Sequence, residues 1–285
     1  TPGNDNNTVL YSFEADLSGF ADTPLTVVAS GFNTIGDENT DDDRPVAPFT
    51  LLAVAPDGSV IDLGTAQAQI IHNSGDPAAR VVDIYVDGER VLDDFQYRSA
   101  SSFIDLESGV RQIAVAPPSS DDTTDAVAQF SEAVPANASL SILANGVLDP
   151  GDFTANPDGE DIAFDLDIAT GARESVASTD GDVEIRAAHG VTDAPTVDVL
   201  AGGSVFVDDA SYTDITGYQG APAQQLTLEV TPGNDNNTVL YSFDADLSGF
   251  ADTPLTVLAS GFSTPGDESA SPLAPFTLLA VAPDG

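Results

Sequence analysis

Short runs of apolar or alternating residues recur along this chain at roughly the 8–12-residue spacing of all-β domains. In the middle of the sequence they fall at Gln67–His72, Val81–Val86, Arg90–Phe95, Ser102–Leu106, Arg111–Ala116, Ala126–Glu132, Ser139–Ala144 and Asp161–Ile168. A final short strand is expected after the turn Thr170-Gly171. The punctuation between runs suits hairpins. Asp87-Gly88, Gly202-Gly203, Asn145-Gly146, Asp57-Gly58 and Asp284-Gly285 supply residues that tolerate positive φ. No segment keeps a 3.6-residue apolar period between caps, so no long helix is expected. Each unit of about 115 residues then carries seven to nine strands. That count predicts an all-β protein of tandem immunoglobulin-like antiparallel β-sandwich domains, with small β-barrels as the alternative.

The pattern repeats at two levels. Thr1 to Phe32 recurs as Thr231 to Phe262 with two differences, Glu14/Asp244 and Val28/Leu258. Pro45 to Gly58 recurs as Pro272 to Gly285 with one, Val46/Leu273. Within that period lies a weaker repeat. His72 aligns with His189, Asp76 with Asp193, Asp83 with Asp198 and Tyr97 with Tyr212. Leu140 to Gly146 aligns with Leu255 to Gly261. The expected units are residues 1–64, the C-terminal half of a B-type domain; 66–181, an A-type domain; and 183–285, a B-type domain lacking its last strand. The joints between them are read as very short linkers, Thr65-Ala66 and Thr179-Asp180-Gly181. Thr1 falls in mid-domain, so the chain reads as a window on a longer, processed array.

Composition narrows the chemistry. Among 285 residues, 47 are acidic and seven basic, for a formal net charge of -40. All seven basic residues are arginines, and Cys, Met, Trp and Lys are absent. There is therefore no disulfide, thiolate metal site, thiol nucleophile or Schiff-base lysine. Such a surface repels phosphate backbones, so no nucleic-acid partner is expected. Hydrophobic residues make up 41% of the chain, enough for a packed core. No run of 18 apolar residues exists, so no transmembrane segment is expected. Dense carboxylate without lysine is the composition of proteins that live in molar salt. There the Debye length is roughly 3 Å and neighbouring carboxylates hardly repel.

Candidate sites are few. No cofactor is expected, apart from calcium at the acidic loop, where Asp37, Glu38, Asp41, Asp42 and Asp43 are the candidate ligands. That loop lacks the EF-hand glycine and terminal glutamate, and the later copy of it has lost most of its acids. His72 and His189 each precede an aspartate by four residues. One histidine per domain does not make a catalytic zinc site, so each is read as a turn whose imidazole hydrogen-bonds the loop. Asp83 and Asp198 flank apolar residues that point to the other face, which places them on the solvent side. No Gly-x-Ser-x-Gly and no phosphate-cradling glycine loop occurs.

The order His-x-x-x-Asp-(x)-Pro, then Val-Asp-Val or Val-Asp-Ile, then a glycine turn is met twice, from His72 to Gly88 and from His189 to Gly203. With the strand-and-turn tail after Gly146 and Gly261, it resembles the domain-of-unknown-function family 4397. The resemblance implies tandem β-sandwich repeats of secreted or surface-anchored prokaryotic proteins, and it implies no activity. Together these readings lead to a non-catalytic structural repeat protein, extracellular or at the cell surface, forming a surface fibre or filament in high salt. Its partners are copies of itself, associating head to tail either in cis along a longer chain or in trans by strand complementation. The alternative is a calcium-dependent adhesin or glycan-binding module.

Overall fold

The computed structural model describes residues 23–31, 50–56, 58, 60–62, 64–136, 138–264 and 274–285. The only helical pieces among these residues are three short 3-10 turns, at Pro77–Ala79, Thr123–Asp125 and Pro150–Asp152. The first described strands, β1 (Thr26–Ser30), β2 (Thr50–Val54) and β3 (Val60–Asp62), form an antiparallel sheet in the order β1-β2-β3.

Domain A follows as two four-stranded sheets. Its strands are β4 (Thr65–His72), β5 (Val81–Val86), β6 (Glu89–Gln96), β7 (Ile104–Glu107), β8 (Gly109–Ala116), β9 (Ala128–Val134), β10 (Ser139–Asn145) and β11 (Asp165–Thr170). One sheet runs β11-β10-β4-β7, the other β6-β5-β8-β9. Domain B repeats the plan with β12 (Asp182–His189), β13 (Val197–Ala201), β14 (Ser204–Ala210), β15 (Gln219–Pro222), β16 (Gln225–Pro232), β17 (Tyr241–Asp246), β18 (Pro254–Ser260) and β19 (Thr277–Val281). Its sheets run β15-β12-β18-β19 and β14-β13-β16-β17. Both domains are β-sandwiches, and neither closes into a barrel.

Pairing is antiparallel with one exception per domain. β4 and β10 are parallel, and so are β12 and β18. A parallel pair needs a long crossover. Here the crossover takes in the whole second sheet and one edge strand of the first, β7 or β15, so the first and seventh strands of each domain meet at the centre of their sheet. In domain A these strands carry short apolar runs flanked by polar residues, Ile70-Ile71 and Ile142-Leu143-Ala144. Ala66, Ala68, Ile70, Leu140 and Ile142 face the core of domain A with Val82, Ile84, Val115 and Val134. Ile71 and Leu143, on the opposite face, are buried as well. They pack against Ala188 and Leu258 of domain B. The two sandwiches therefore lie side by side, joined through the outer faces of their parallel pairs.

This arrangement changes three expectations. Thr65 and Ala66 are not a linker but the first residues of β4, paired with Glu107 and Leu106. No strand follows Thr170. After Gly171, Ala172 N–H donates to Ser139 O at 3.0 Å, and the chain then leaves the sheet. The eighth strand begins at Asp165 rather than Asp161, because Ile162 O and Phe164 N–H first bond both polar groups of Val147, at 2.9 and 2.8 Å.

Nearly identical sequence meets different surroundings in the two B-type segments. In β18, Leu258 is 0% exposed; its counterpart Val28 in β1 is 40% exposed and Val27 is 57%. Among the described residues the two strands have different neighbours. β18 is paired with β12 and covered by domain A, while β1 pairs with β2.

Candidate functional site

The two His–Asp loops leave the ends of β4 and β12, where a strand must turn back over the sandwich. His72 ends β4 and is fully buried. Its Nε2–H donates to Ala79 O at 2.7 Å, closing the loop that carries the Pro77–Ala79 turn. His189 ends β12 and does the same to Pro195 O at 3.2 Å, while its Nδ1 accepts Val191 N–H at 3.3 Å. A carbonyl partner requires the Nε2–H tautomer, and a ring that also accepts at Nδ1 is neutral. Burial lowers the pKa of His72 to about 4, with the bond to Ala79 opposing. Burial also holds His189 below the usual imidazole range. Neutral, buried and bonded to a carbonyl at Nε2, both imidazoles act as staples of their loops.

The aspartate four residues on ties the same loop to the turn after the seventh strand. Asp76 Oδ1 accepts Ala78 N–H at 2.8 Å and Oδ2 accepts Leu148 N–H at 2.9 Å. Asp193 accepts the backbone N–H of Ser263 at 2.7 Å and of Thr264 at 2.8 Å, and both hydroxyls as well. Leu148 and Ser263 each stand two residues beyond an aligned glycine, Gly146 and Gly261, with φ of 79° and 98°. A Cβ on Gly146 would lie 2.3 Å from Ala163 O, and one on Gly261 would lie 2.4 Å from Pro275 O. Both glycines are thus required by conformation and by space.

Asp83 and Asp198 are not on the solvent side; they are 0% and 1% exposed. Asp83 Oδ1 accepts Asp94 N–H at 2.9 Å, and Oδ2 accepts from Arg90 Nη1 at 3.0 Å and Ser120 Oγ at 3.1 Å. Asp198 accepts Asp209 N–H at 2.6 Å. Asp94 and Asp209 both have positive φ, 50° and 51°, at irregularities where β6 and β14 slip register against β5 and β13. The buried carboxylate takes up an N–H that the bulge removes from the ladder. Alternation along the strand predicted the face correctly, but covering of that face by the bulge and, in domain A, by Ser120 overrides exposure.

A family model described as Domain of unknown function (DUF4397) matches residues 49–161 and 183–275. The chain belongs to this family. A search of the curated proteins returns no match.

The two DUF4397 copies contact each other reciprocally. Gln69 and Arg186 are aligned residues on β4 and β12. Gln69 Nε2 donates to Ser101 O within its own domain at 3.1 Å and to Ala282 O of domain B at 2.7 Å. Arg186 Nε donates to Thr216 O within its own domain at 3.2 Å, and Nη2 donates to Thr170 O of domain A at 2.8 Å. Ser101 and Thr216 are likewise aligned, and their hydroxyls accept Ile70 N–H and Ala187 N–H. Near the centre, Asn73 Nδ2 donates to Gly190 O at 2.8 Å, and Asn73 and Gly190 are aligned too. A Cβ on Gly190 would fall 2.1 Å from Asn73 Nδ2. The A–B contact thus has approximate two-fold symmetry. Phe262 adds an asymmetric knob, buried among Val147, Ile162 and Tyr212 and stacked on Phe153 with centroids 5.7 Å apart. None of Gln69, Arg186, Asn73 or Phe262 was singled out by sequence. For Gln69 and Arg186 the available signal was a polar side chain inside a strand run, on the face opposite the core.

The calcium candidates Asp37, Glu38, Asp41, Asp42 and Asp43 lie outside the described residues. Among the described residues, no group of three or more His, Asp or Glu side chains is placed to hold a metal ion. No helix there is long and apolar enough to cross a membrane.

Proposed function

We propose that this chain is a non-catalytic structural repeat protein of the cell exterior, polymerising or extending as a surface fibre or filament in high salt. The observation that carries this reading is the A–B contact. Two sandwiches of the same family are locked side by side by reciprocal hydrogen bonds and a shared apolar cluster, Ile71, Leu143, Ala188 and Leu258. The paired domain is then the building unit, rather than the single bead.

The joint into the unit supports the same reading. Gly64, between β3 and β4, accepts Ser108 N–H at 3.0 Å, and a Cβ there would stand 2.5 Å from that of Ala136. A preceding B-type segment therefore enters domain A through a tight, bonded joint. The motif carboxylates and imidazoles are engaged by loop backbone, which leaves them as architecture. A net charge of -40 keeps such a polymer soluble in brine.

Electron microscopy of the native material in high salt tests the proposal. A domain of this size is roughly 35 Å across by the compactness rule. Filaments whose axial repeat falls well short of two such domains support a polymer of side-by-side pairs. Isolated particles sink the filament reading and favour the adhesin.

A further inference from the structure

We propose that the notch between the 161–167 segment of domain A and the Tyr212–Thr213 turn of domain B is a binding site for a guanidinium group. The approximate two-fold axis makes two related notches at the A–B contact. In one of them, Arg98 of domain A reaches into domain B. Its Nε donates to Ser260 Oγ at 3.1 Å, and its Nη2 donates to Ser260 O at 3.3 Å and Pro275 O at 2.8 Å. Tyr97 beside it bonds Ser260 Oγ at 3.1 Å. That notch is filled by a planar cation.

The related notch has the same walls and no cation. Tyr212 stands for Tyr97, Thr213 for Arg98 and Asn145 for Ser260. Ala163, bridged to Val147, stands for Pro275, bridged to Phe262. Thr213 ends where Arg98 continues, and a cavity of about 110 Å³ is left, reached from solvent past the exposed Asp161, Asp165 and Thr213. Where the filled notch has Thr277 and Leu279 on β19, this one has Asp165 and Asp167 on β11. Asp161 adds a third carboxylate.

Three acids thus line the notch without the arginine, and none of them pairs with an arginine among the described residues. Their contacts are local: Asp161 Oδ1 to Ala163 N–H, Asp165 Oδ1 to Leu166 N–H, and Asp167 Oδ2 to Asn145 Nδ2. A second observation points the same way. Tyr212 is 4% exposed, lines the notch, and its hydroxyl has no hydrogen-bond partner among the described residues. A ligand N–H in the notch would give that hydroxyl a partner. Asp161, Asp165, Asp167 and Tyr212 all line this one cavity, and burial and the three carboxylates raise the Tyr212 pKa. Burial raises Asp167 to about 7, as expected of a carboxylate lacking its counter-charge. The acids are spread too widely to ligate one metal ion, whereas a flat, multi-donor cation spans them.

The test is thermal unfolding of the full chain at constant high ionic strength, with methylguanidinium, N-acetyl-arginine amide or equimolar KCl added at low concentration. The expected result is a saturable rise in Tm with either guanidinium compound and not with KCl. A larger rise with the arginine derivative identifies a protein side chain as the natural occupant; a larger rise with methylguanidinium identifies a free compound. Two variants complete the test. T213R copies Arg98, whose φ of 64° is close to the 76° of Thr213, so the backbone accepts it. It should melt higher than the parent and lose the ligand response. D167N, which keeps the size and the contact to Asn145, should also lose the response. A guanidinium response no larger than that of KCl overturns the proposal. So does a T213R or D167N chain that still responds like the parent.

Discussion

The backbone N–H of Asp94 is held by the buried carboxylate of Asp83 at 2.9 Å, and Asp209 is held by Asp198 at 2.6 Å in the second domain. In both places the N–H belongs to a residue with positive φ at a β-bulge. One aspartate therefore fixes where the second hairpin strand breaks register. Removing it exposes no surface but strands a buried donor. D83A should destabilise the fold by about 2–4 kcal/mol, because Ser120 and Arg90 each lose one acceptor as well. D198A, with a single such bond, should cost about 1–3 kcal/mol. Chemical denaturation in high salt measures both. Losses under about 0.5 kcal/mol, the ordinary surface range, would contradict the anchoring role.

Acid should weaken domain A through His72. Its folded pKa of about 4 lies below the ordinary 6.5, so the folded state prefers the neutral ring. The stability it contributes is complete above pH 6.5 and is lost as pH falls from there through about 4. The full linkage amounts to about 3 kcal/mol. Asp167 acts in the opposite sense. Its folded pKa, raised to about 7 from 3.8, makes its contribution complete below 3.8 and lost as pH rises through 7. The two partly cancel in the wild type. D167N should therefore steepen the acid loss and stabilise the chain at pH 8 by on the order of 2 kcal/mol, allowing for partial exposure. A pH series of melting curves on both chains reads this directly. Parallel curves would rule the linkage out.

Separating the sandwiches should leave each core intact. G190V places side-chain atoms where Asn73 lies, and L258A removes a fully buried contact worth about 2–5 kcal/mol. The expected outcome is a larger radius of gyration by small-angle scattering with an unchanged far-UV spectrum. An unchanged radius in G190V would mean that the lateral contact does not hold the pair together.

Dilute buffer should unfold the chain. At 1 M salt the screening length is roughly 3 Å, but at 0.01 M it is about 30 Å, and the net charge of -40 then acts across the whole surface. Circular dichroism between molar and millimolar salt follows the transition. A spectrum unchanged over that range would overturn the reading of the charge as an adaptation to brine.

Much of the fold is legible in the sequence. Strand after strand falls within a few residues of its apolar run, from Val81–Val86, matched at both ends, to Gly109–Ala116. These are local matters: side-chain alternation, glycine at positive φ, and the absence of a helical period. The two-copy plan was visible too, because the copies share His, Asp and Gly at matching places. The His72 and His189 bonds follow from the same logic, since each imidazole reaches only six or seven residues along its own loop. What sequence could not decide is everything that depends on a distant surface. Asp83 lies on the predicted face of its strand, but the bulge of β6 and Ser120 bury it. Ile71 and Leu143 point away from their own core and are covered only because domain B lies there. Leu258 is sealed and Val28 exposed in nearly the same sequence. Alternation along a strand assigns a residue to a face, but whether that face meets water or another sheet is set by how the sheets come together.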